Sequence, residues 1–306
     1  MAVAEVRASG LESLSLATRL LQRARLADPD AGIWEAADVQ WWWRSPRSSD
    51  SVDQHYWVDA DGPVAAVLLT DWGRSWGCDP IVVLGSPDVG IGTVWARAVE
   101  AVAALRLATV DVLARDDDHE LARLLTLAGF AARGDSSGIT WMHVEDRPAA
   151  APLPQGFSIV DRSEPRGVHP VSRRSGERAE ERLRQCSLYD PALDLAVQTD
   201  DGATAAYALF WFDPVTLVGL VEPMRVEDEF QRRGIGRALL TAGLDRLERR
   251  GARRFKVGYS SEPARALYVG VGFRPSATMT SYRRETSPVI RAGGAPVARR
   301  SGRPDE

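Results

Sequence analysis

The chain has 306 residues, of which 44% are hydrophobic and 26% are charged, so it has the composition of a soluble globular protein with room for two domains. A net charge of −4 does not favour nucleic-acid binding, and no run approaches the ~20 apolar residues that a membrane span needs. Cys78 and Cys186 lie in different halves, which makes a disulfide framework or a metal site unlikely by pattern. Residues 1–10 lack the apolar core of a signal peptide, and we expect a cytoplasmic protein.

The first half has the periodicity of alternating helices and strands. Apolar residues at helical spacing predict two opening helices, and a Gly-containing turn between apolar runs predicts a hairpin. The segment Gly90-Ile91-Gly92 then leads into a third helix. The predicted elements are helices 11–26 and 32–43, strands 55–58, 64–70 and 80–84, helix 93–105, strand 109–113, helix 120–128 and strand 139–144.

All of the ten tryptophans except Trp211 lie in this half. They can form an aromatic wall for a substrate, with cation–π contact to an amine, or they can serve core and interdomain packing. Packing is the favoured interpretation. The run Trp41-Trp42-Trp43 is an exception, because three adjacent residues on a helix cannot share one face. At least one of them should meet solvent, a partner or a ligand.

A Pro- and Ala-rich stretch, 147–155, predicts a linker between a domain at 1–146 and a second at 156–285. Residues 286–306 lack periodicity and predict a disordered tail. The second domain has strand 157–161, helix 176–188, strands 193–198, 203–212 and 218–226, helix 237–250, strand 253–259, a helix before Gly272 and a last strand near 278–283. On helix 176–188, Glu177, Glu180 and Glu181 either face a cationic substrate or, as favoured, form a solvated face with Glu–Arg pairs.

The order of elements in the first half repeats in the second. Gly90-Ile91-Gly92 corresponds to Gly234-Ile235-Gly236, and Leu124-Leu125 before Gly129-Phe130 corresponds to Leu267-Tyr268 before Gly272-Phe273. The first copy has Pro87, Asp88 and Val89 where the second has Gln231, Arg232 and Arg233. We therefore predict two copies of one domain, of which the first has lost its chemistry and serves as a structural or substrate-shaping partner. The alternative is residual cofactor binding through the amides of Gly90-Ile91-Gly92.

The stretch 231–236 joins the apolar strand 218–226 to an amphipathic helix. Unpaired N–H groups at a helix N-terminus and the helix dipole favour an anion. Gly234 and Gly236 let the backbone approach a ligand, and Arg232, Arg233 and Arg237 add positive charge. These residues predict a site for a phosphate-bearing ligand.

Together with the segment Leu267-Tyr268 before Gly272-Phe273, this turn resembles the GCN5-related N-acetyltransferase (GNAT) family. The resemblance covers the second half. It implies an α/β fold with two tandem acyl-CoA N-acyltransferase domains, each a mixed, mostly antiparallel sheet flanked by helices. It also implies that the phosphate-bearing ligand is acetyl-CoA. The predicted cofactor-binding residues are Met224, Arg225, Val226, Gln231, Arg232, Arg233, Gly234, Ile235, Gly236, Arg237 and Ser261.

Two residues are predicted to be catalytic. Glu222 lies in an otherwise apolar strand, where desolvation would raise its pKa and suit it to take a proton from the attacking amine. The alternative is a carboxylate paired with an arginine. Tyr268 can protonate the departing thiolate, as the resemblance implies, or simply pack on the sheet. Relatives often carry a Glu where Lys256 stands and an Asn where Ser261 stands, which favours Glu222 as the base.

The predicted function is transfer of acetyl from acetyl-CoA to a primary amine of a small molecule or peptide, by direct attack in the second domain and without a metal. The alternative is a non-catalytic acyl-CoA-binding sensor or assembly module. The expected partners are acetyl-CoA and an amine acceptor, with neither nucleic acid nor membrane, and the domain pair is compatible with a homodimer.

Overall fold

A computed structural model describes residues 3–30, 32–86, 88–164 and 167–285. Pro87 and the predicted tail at 286–306 lie outside these ranges. In the first half the elements are β1 (Ala4–Ala8), α1 (Gly10–Ala27), α2 (Ala36–Trp43), β2 (Gln54–Asp59), β3 (Gly62–Asp71), β4 (Trp76–Val82), α3 (Ile91–Ala104), β5 (Thr109–Arg115), α4 (His119–Leu127) and β6 (Ala131–His143). In the second half they are β7 (Phe157–Asp161), α5 (Ser172–Ser175), α6 (Ala179–Leu183), β8 (Asp194–Thr199), β9 (Thr204–Asp213), β10 (Val218–Val226), α7 (Ile235–Arg250), β11 (Arg254–Tyr259), α8 (Glu262–Val271) and β12 (Arg274–Glu285).

The strands form one continuous twelve-stranded sheet, in the order β1-β2-β3-β4-β5-β12-β6-β11-β10-β9-β8-β7. Among the described strands, only the pairs β4–β5 and β10–β11 are parallel, which confirms the mixed, mostly antiparallel class. The order is symmetric about the β12–β6 pair. The last strand of each half pairs with the fifth strand of the other half, because β6 lies beside β11 and β12 beside β5. Each half therefore completes the sheet of the other.

Of the four hydrophobic clusters among the described residues, three pack the helices against the sheet. One lies under α3 and α4 in the first half, and another packs α7 against β8 to β11 in the second. The third joins the halves: Leu20 of α1 and Trp41 of α2 share it with Leu183 of α6 and Trp211 of β9. Burying these large apolar side chains across the boundary makes the two halves one packed unit.

Several sequence predictions differ from the structure. The predicted helix 32–43 begins only at Ala36, because Glu35 and Asp38 form a capping box there, with the Glu35 N–H donating to Asp38 Oδ2 at 2.7 Å. The predicted helix 176–188 is wrong. It is replaced by the short helices α5 and α6, and Gly176, at a φ of 90°, ends the first of them. Strand β1 was not predicted. None of the described helices is long and apolar enough to cross a membrane.

The tryptophan run packs against the second half. Trp41 is buried, the Trp43 Nε1 donates to Gln185 Oε1 at 2.8 Å, and the Arg182 guanidinium lies 3.7 Å from the Trp43 ring centre. Glu180, one of the three glutamates predicted either to face a cationic substrate or to pair with arginines, pairs with Arg162 at 2.9 Å. Packing thus explains most of the run, and the exception is Trp42, described below.

Candidate active site

Strands β10 and β11 separate part-way along their length. Among the described residues they pair only from Val218 to Leu220. On its other side β10 continues along β9, with a bulge between Val221 and Met224. Beyond Leu220, the β10 backbone edge that faces β11 is therefore left without a strand partner. Such an edge offers N–H and C=O groups to an extended ligand, as in β-strand addition.

The turn after β10 leads directly to the N-terminus of α7. Arg232 and Gly234 have φ values of 59° and 81°, in the left-handed region, and only glycine adopts this region without cost. The first bond of the helix runs from the Ala238 N–H to the Gly234 carbonyl at 3.0 Å. The N–H groups of the first turn, from Ile235 onward, have no earlier carbonyl in the helix, and donors of this kind suit an anion.

Gly236 joins this helix start to the open strand edge. A methyl group at Gly236 would lie 3.2 Å from Val226 Cγ2, 3.5 Å from Leu267 Cδ2 and 3.7 Å from Met224 Cε. The site thus brings Met224, Val226 and the first turn of α7 together with α8. A side chain here would crowd the channel between the strand and the helix, which explains the need for glycine.

The predicted charged and polar residues surround the turn. Arg232 and Arg233 are exposed, and the Arg233 guanidinium lies 5.6 Å from the Phe230 ring centre. Arg237 Nη1 donates to the Gly270 carbonyl at 2.9 Å, and Gln231 Nε2 donates to the Val226 carbonyl at 3.2 Å. Gln231 and Arg237 thus have structural bonds of their own, whereas Arg232 and Arg233 present their charge to solvent beside the helix N-terminus.

The remaining three predicted cofactor-binding residues have side chains in other environments. The Arg225 side chain pairs with Glu227 at 3.1 Å and with Asp228 at 3.2 Å, so its backbone is the part left to the open edge. The Ile235 side chain is buried in the core, and only its N–H reaches the turn. Ser261 is the N-cap of α8, exposed, and its hydroxyl makes no capping bond.

Glu222 occupies the bulge where the two strands part, and a cis peptide bond joins it to Pro223. The Glu222 carbonyl accepts a hydrogen bond from Trp211 Nε1 at 2.6 Å. Burial and the neighbouring Asp38 carboxylate raise the pKa of Glu222 to about 7, while Arg44 and a hydrogen bond from Trp41 act in the opposite direction. A carboxyl group with this pKa exchanges a proton readily near neutral pH.

Tyr268 lies buried in α8, its ring 6.2 Å from that of Phe273. Burial raises the pKa of Tyr268, and the Glu222 carboxylate raises it further, so the two groups interact electrostatically. Lys256, in contrast, is buried in an ion pair with Glu35, with Nζ 2.8 Å from Oε1. Tyr268 therefore lies within electrostatic range of Glu222, whereas Lys256 is held in an ion pair with Glu35.

Sequence reasoning missed two carboxylates near this site. Asp38 of α2 is buried, and it lines the same cavity as Glu222. Asp79 of β4 is buried in the first half and accepts a hydrogen bond from Trp34 Nε1 at 2.9 Å. Asp79-Pro80 of β4 lies opposite β3, and Glu222-Pro223 of β10 lies opposite β9. The two repeats thus share an acidic residue followed by proline. This shared pattern could have identified Asp79 from the sequence.

The first half keeps a cleft at the equivalent place, of about 420 Å³, where β4 leaves β5 after Gly77. Its helix α3 starts after Gly90 but has Asp88 in the preceding turn, where the second half has Arg232. A carboxylate at that position repels a diphosphate. The loss of chemistry predicted for the first copy is consistent with this geometry.

Residues 161–273 match the model of the acetyltransferase (GNAT) family. The match covers 113 of the 306 residues, which make up most of the second half. The structure resembles a tandem GNAT protein from the clavulanic acid biosynthesis pathway with a TM-score of 0.68 and 18% identity, covering 94% of this chain and 99% of that one. That likeness shows the fold, which is the tandem GNAT fold.

Two curated GNAT relatives are named mycothiol acetyltransferase. The protein from Beutenbergia cavernae is 38% identical over 97 residues, which are 31% of this chain and 32% of that protein. The protein from Kocuria rhizophila is 27% identical over 253 residues, which are 74% of this chain and 82% of that protein. The chain thus spans about a third of the length of the first relative and most of the second.

Proposed function

We propose that the protein is an acetyl-CoA-dependent N-acetyltransferase whose second half transfers acetyl to a primary amine by direct attack. The observation that carries the proposal is the parting of β10 from β11 next to the N-terminus of α7. The open strand edge suits the amide groups of pantetheine, and the helix start with Arg232 and Arg233 suits the diphosphate. The GNAT family, whose model this half matches, uses acetyl-CoA as its co-substrate.

In the proposed reaction Glu222 takes a proton from the acceptor ammonium. The neutral amine nitrogen forms a bond to the acetyl carbonyl carbon, the carbon–sulfur bond breaks, and the electron pair leaves on sulfur. Tyr268 gives its proton to that sulfur, and the second proton that the nitrogen loses as the amide forms restores the Tyr268 phenol. A pKa of about 7 lets Glu222 be ionised at neutral pH and still accept a proton. The raised pKa of Tyr268 keeps its phenol protonated until a thiolate forms nearby.

The similarity to relatives named mycothiol acetyltransferase makes a precursor of mycothiol the first acceptor to assay. A peptide or another small amine is the broader class. The predicted cytoplasmic location and the absence of a metal requirement belong to this same proposal.

The experiment combines a binding and a turnover measurement. Calorimetric titration compares acetyl-CoA with acetyl-pantetheine, which lacks the nucleotide and diphosphate, for the wild type and for Arg233→Ala. We expect acetyl-CoA to bind at least about tenfold more tightly, and Arg233→Ala to weaken acetyl-CoA alone by roughly fivefold or more.

Thiol release is then followed over a library of primary amines. Release that depends on an amine supports the proposal. Tight acetyl-CoA binding with no release for any amine would instead support the acyl-CoA-binding sensor. Equal affinity for the two thioesters would remove the diphosphate site on which the assignment of Arg232, Arg233 and Gly234 depends.

A further inference from the structure

A small cavity of about 160 Å³ lies between the two halves, next to Glu222. Both halves contribute to its wall, which includes Trp34, Asp38, Trp42, Leu220, Glu222 and Lys256. At a liquid-water volume of ~30 Å³ per molecule, the cavity has space for about five waters. It therefore admits the end of an acceptor and not a large substrate as a whole.

The charges around this cavity are unevenly matched. Lys256 is engaged with Glu35, whose carboxylate also binds Arg25 Nη2 at 2.5 Å. Asp38 uses Oδ2 to accept the Glu35 N–H, and among the described residues its Oδ1 has no hydrogen-bonding partner. Asp38 thus adds a second carboxylate to the cavity that contains Glu222.

Burial penalises the ionised form of Asp38, whose pKa it raises to about 6. Burial and the Asp38 carboxylate together penalise the ionised form of Glu222, whose pKa rises to about 7. A cation placed between them removes both penalties, because opposite charge within ~4–6 Å favours the ionised form of a carboxyl group. The pair therefore favours a positively charged guest.

Two tryptophans contribute to the remaining wall, together with aliphatic side chains such as Ile33 and Met279. Trp34 and Trp42 pack edge to face, with ring centres 4.9 Å apart. The Trp34 N–H is already bonded to Asp79, which fixes the ring. Tryptophan faces attract cations and bury apolar stems, so this wall suits the carbon atoms next to an ammonium group.

We propose that Asp38 of the N-terminal half binds the acceptor ammonium beside Glu222, so that the enzyme selects primary amines on an apolar stem and rejects those with a carboxylate next to the amine. This inference rests on the proposed function. In this proposal the N-terminal half, which has Asp88 where the second half has Arg232, contributes directly to acceptor selection. The ammonium group gives one proton to Glu222. The resulting amine donates an N–H hydrogen bond to Asp38 while its nitrogen attacks the acetyl carbonyl carbon.

The test uses three acceptors with one stem: 2-phenylethylamine, phenylalaninamide and phenylalanine, which carry hydrogen, a neutral amide and a carboxylate beside the amine. Thiol release is measured at pH 8 for the wild type, Asp38→Asn and Asp79→Asn. The Asp38→Asn side chain keeps an oxygen for the Glu35 N–H, so the cap of α2 is retained. Asp79→Asn is the matched control, a buried carboxylate whose pKa burial also raises to about 6 but which lines the other cleft. The amide oxygen of Asn can still accept the Trp34 N–H, so the position of the ring is retained.

For the wild type we expect kcat/KM to be at least about 100-fold lower with phenylalanine than with phenylalaninamide. Asp38→Asn should raise KM for 2-phenylethylamine and phenylalaninamide by roughly 10- to 100-fold. It should also reduce the ratio of kcat/KM between phenylalaninamide and phenylalanine. Its dissociation constant for acetyl-CoA should equal that of the wild type. Asp79→Asn should change neither the KM values for the amines nor the ratio of kcat/KM between phenylalaninamide and phenylalanine.

The outcomes separate the two ideas. Turnover that treats phenylalanine and its amide alike, or equal amine KM values for Asp38→Asn and the wild type, would overturn the inference and leave the proposed acetyltransferase in place. Acetyl-CoA binding without release from any of these or other amines would overturn the proposed function itself. The wild-type discrimination needs no variant, so the inference stays testable if Asp38→Asn fails to fold.

Discussion

The raised pKa of Glu222 predicts a pH-dependent cost in stability, which Glu222→Gln should remove. Burial raises this pKa from its ordinary value of 4.5 to about 7. Between these values the folded protein holds a proton that the unfolded chain has released. Stability must therefore fall as pH rises through this window, and the full cost is reached above about pH 7.

At 1.36 kcal/mol per pKa unit the complete cost is up to about 3 kcal/mol, of which about 2 kcal/mol develops between pH 5 and pH 8. Gln keeps an oxygen for the hydrogen bond from Trp41 and does not titrate. We expect the unfolding free energy of Glu222→Gln, relative to the wild type, to increase by about this amount over that interval. Urea unfolding at both pH values, analysed by linear extrapolation, measures it.

Glu180→Gln is the matched control. Its pKa is lowered because hydrogen bonds from Arg184 and Arg162 outweigh burial, so stability from Glu180 is present above about pH 4.5 and lost below it. The difference between Glu180→Gln and the wild type should thus stay constant from pH 5 to pH 8. If the Glu222→Gln difference also stayed constant, Glu222 would not be desolvated, and its assignment as a base poised near neutrality would lose its physical ground.

Further predictions concern the cleft and its helix. Tyr268→Phe should lower kcat by about 100-fold or more and leave the KM for acetyl-CoA unchanged, as steady-state kinetics would show; unchanged kcat would exclude Tyr268 as the acid. Gly236→Ala should weaken acetyl-CoA binding about tenfold in calorimetry. Gly92→Ala should leave this binding unchanged, because a methyl group there meets nothing within 4 Å. Equal effects of the two substitutions would contradict the argument that a side chain at Gly236 crowds the site. Gly243→Ala would place a methyl group into the Phe210 ring and should destabilise the fold by about 1–3 kcal/mol in denaturant unfolding, and full stability would show that α7 can move away from the sheet.

Local patterns were enough to predict most elements. Val218–Val226 is the observed strand β10 because its apolar run and the glycine turn beyond it need no distant partner to define them. The predicted helix 176–188 failed for a tertiary reason. Its buried residues, among them Ala179 and Leu183, pack on the cluster shared with α2, and Gly176 breaks the helix before them.

The candidate site likewise has one part that local sequence could predict and another that depends on the packing of the two halves. The turn from Gln231 to Gly236 is contiguous, so sequence reasoning could assemble it whole. Asp38 could not be found by that route, because an Asp near the start of a helix is ordinary capping chemistry, and it meets Glu222 only when the halves pack together. Lys256 was set aside as a base by comparison with the family pattern, but its actual partner, Glu35, depends on the same packing.

The exchange of end strands explains why a half without a cofactor turn remains part of the molecule. β6 lies between β11 and β12, and β12 lies between β5 and β6, so removal of either half would expose long unpaired strand edges in the other. The same arrangement holds α2 against β10, which is what brings Asp38 to the cavity of Glu222. Under the proposed function, a change in the first half can therefore alter which acceptor reaches Glu222 without touching the turn at Gly234, so the acceptor end and the acetyl-CoA end of the reaction can diverge independently.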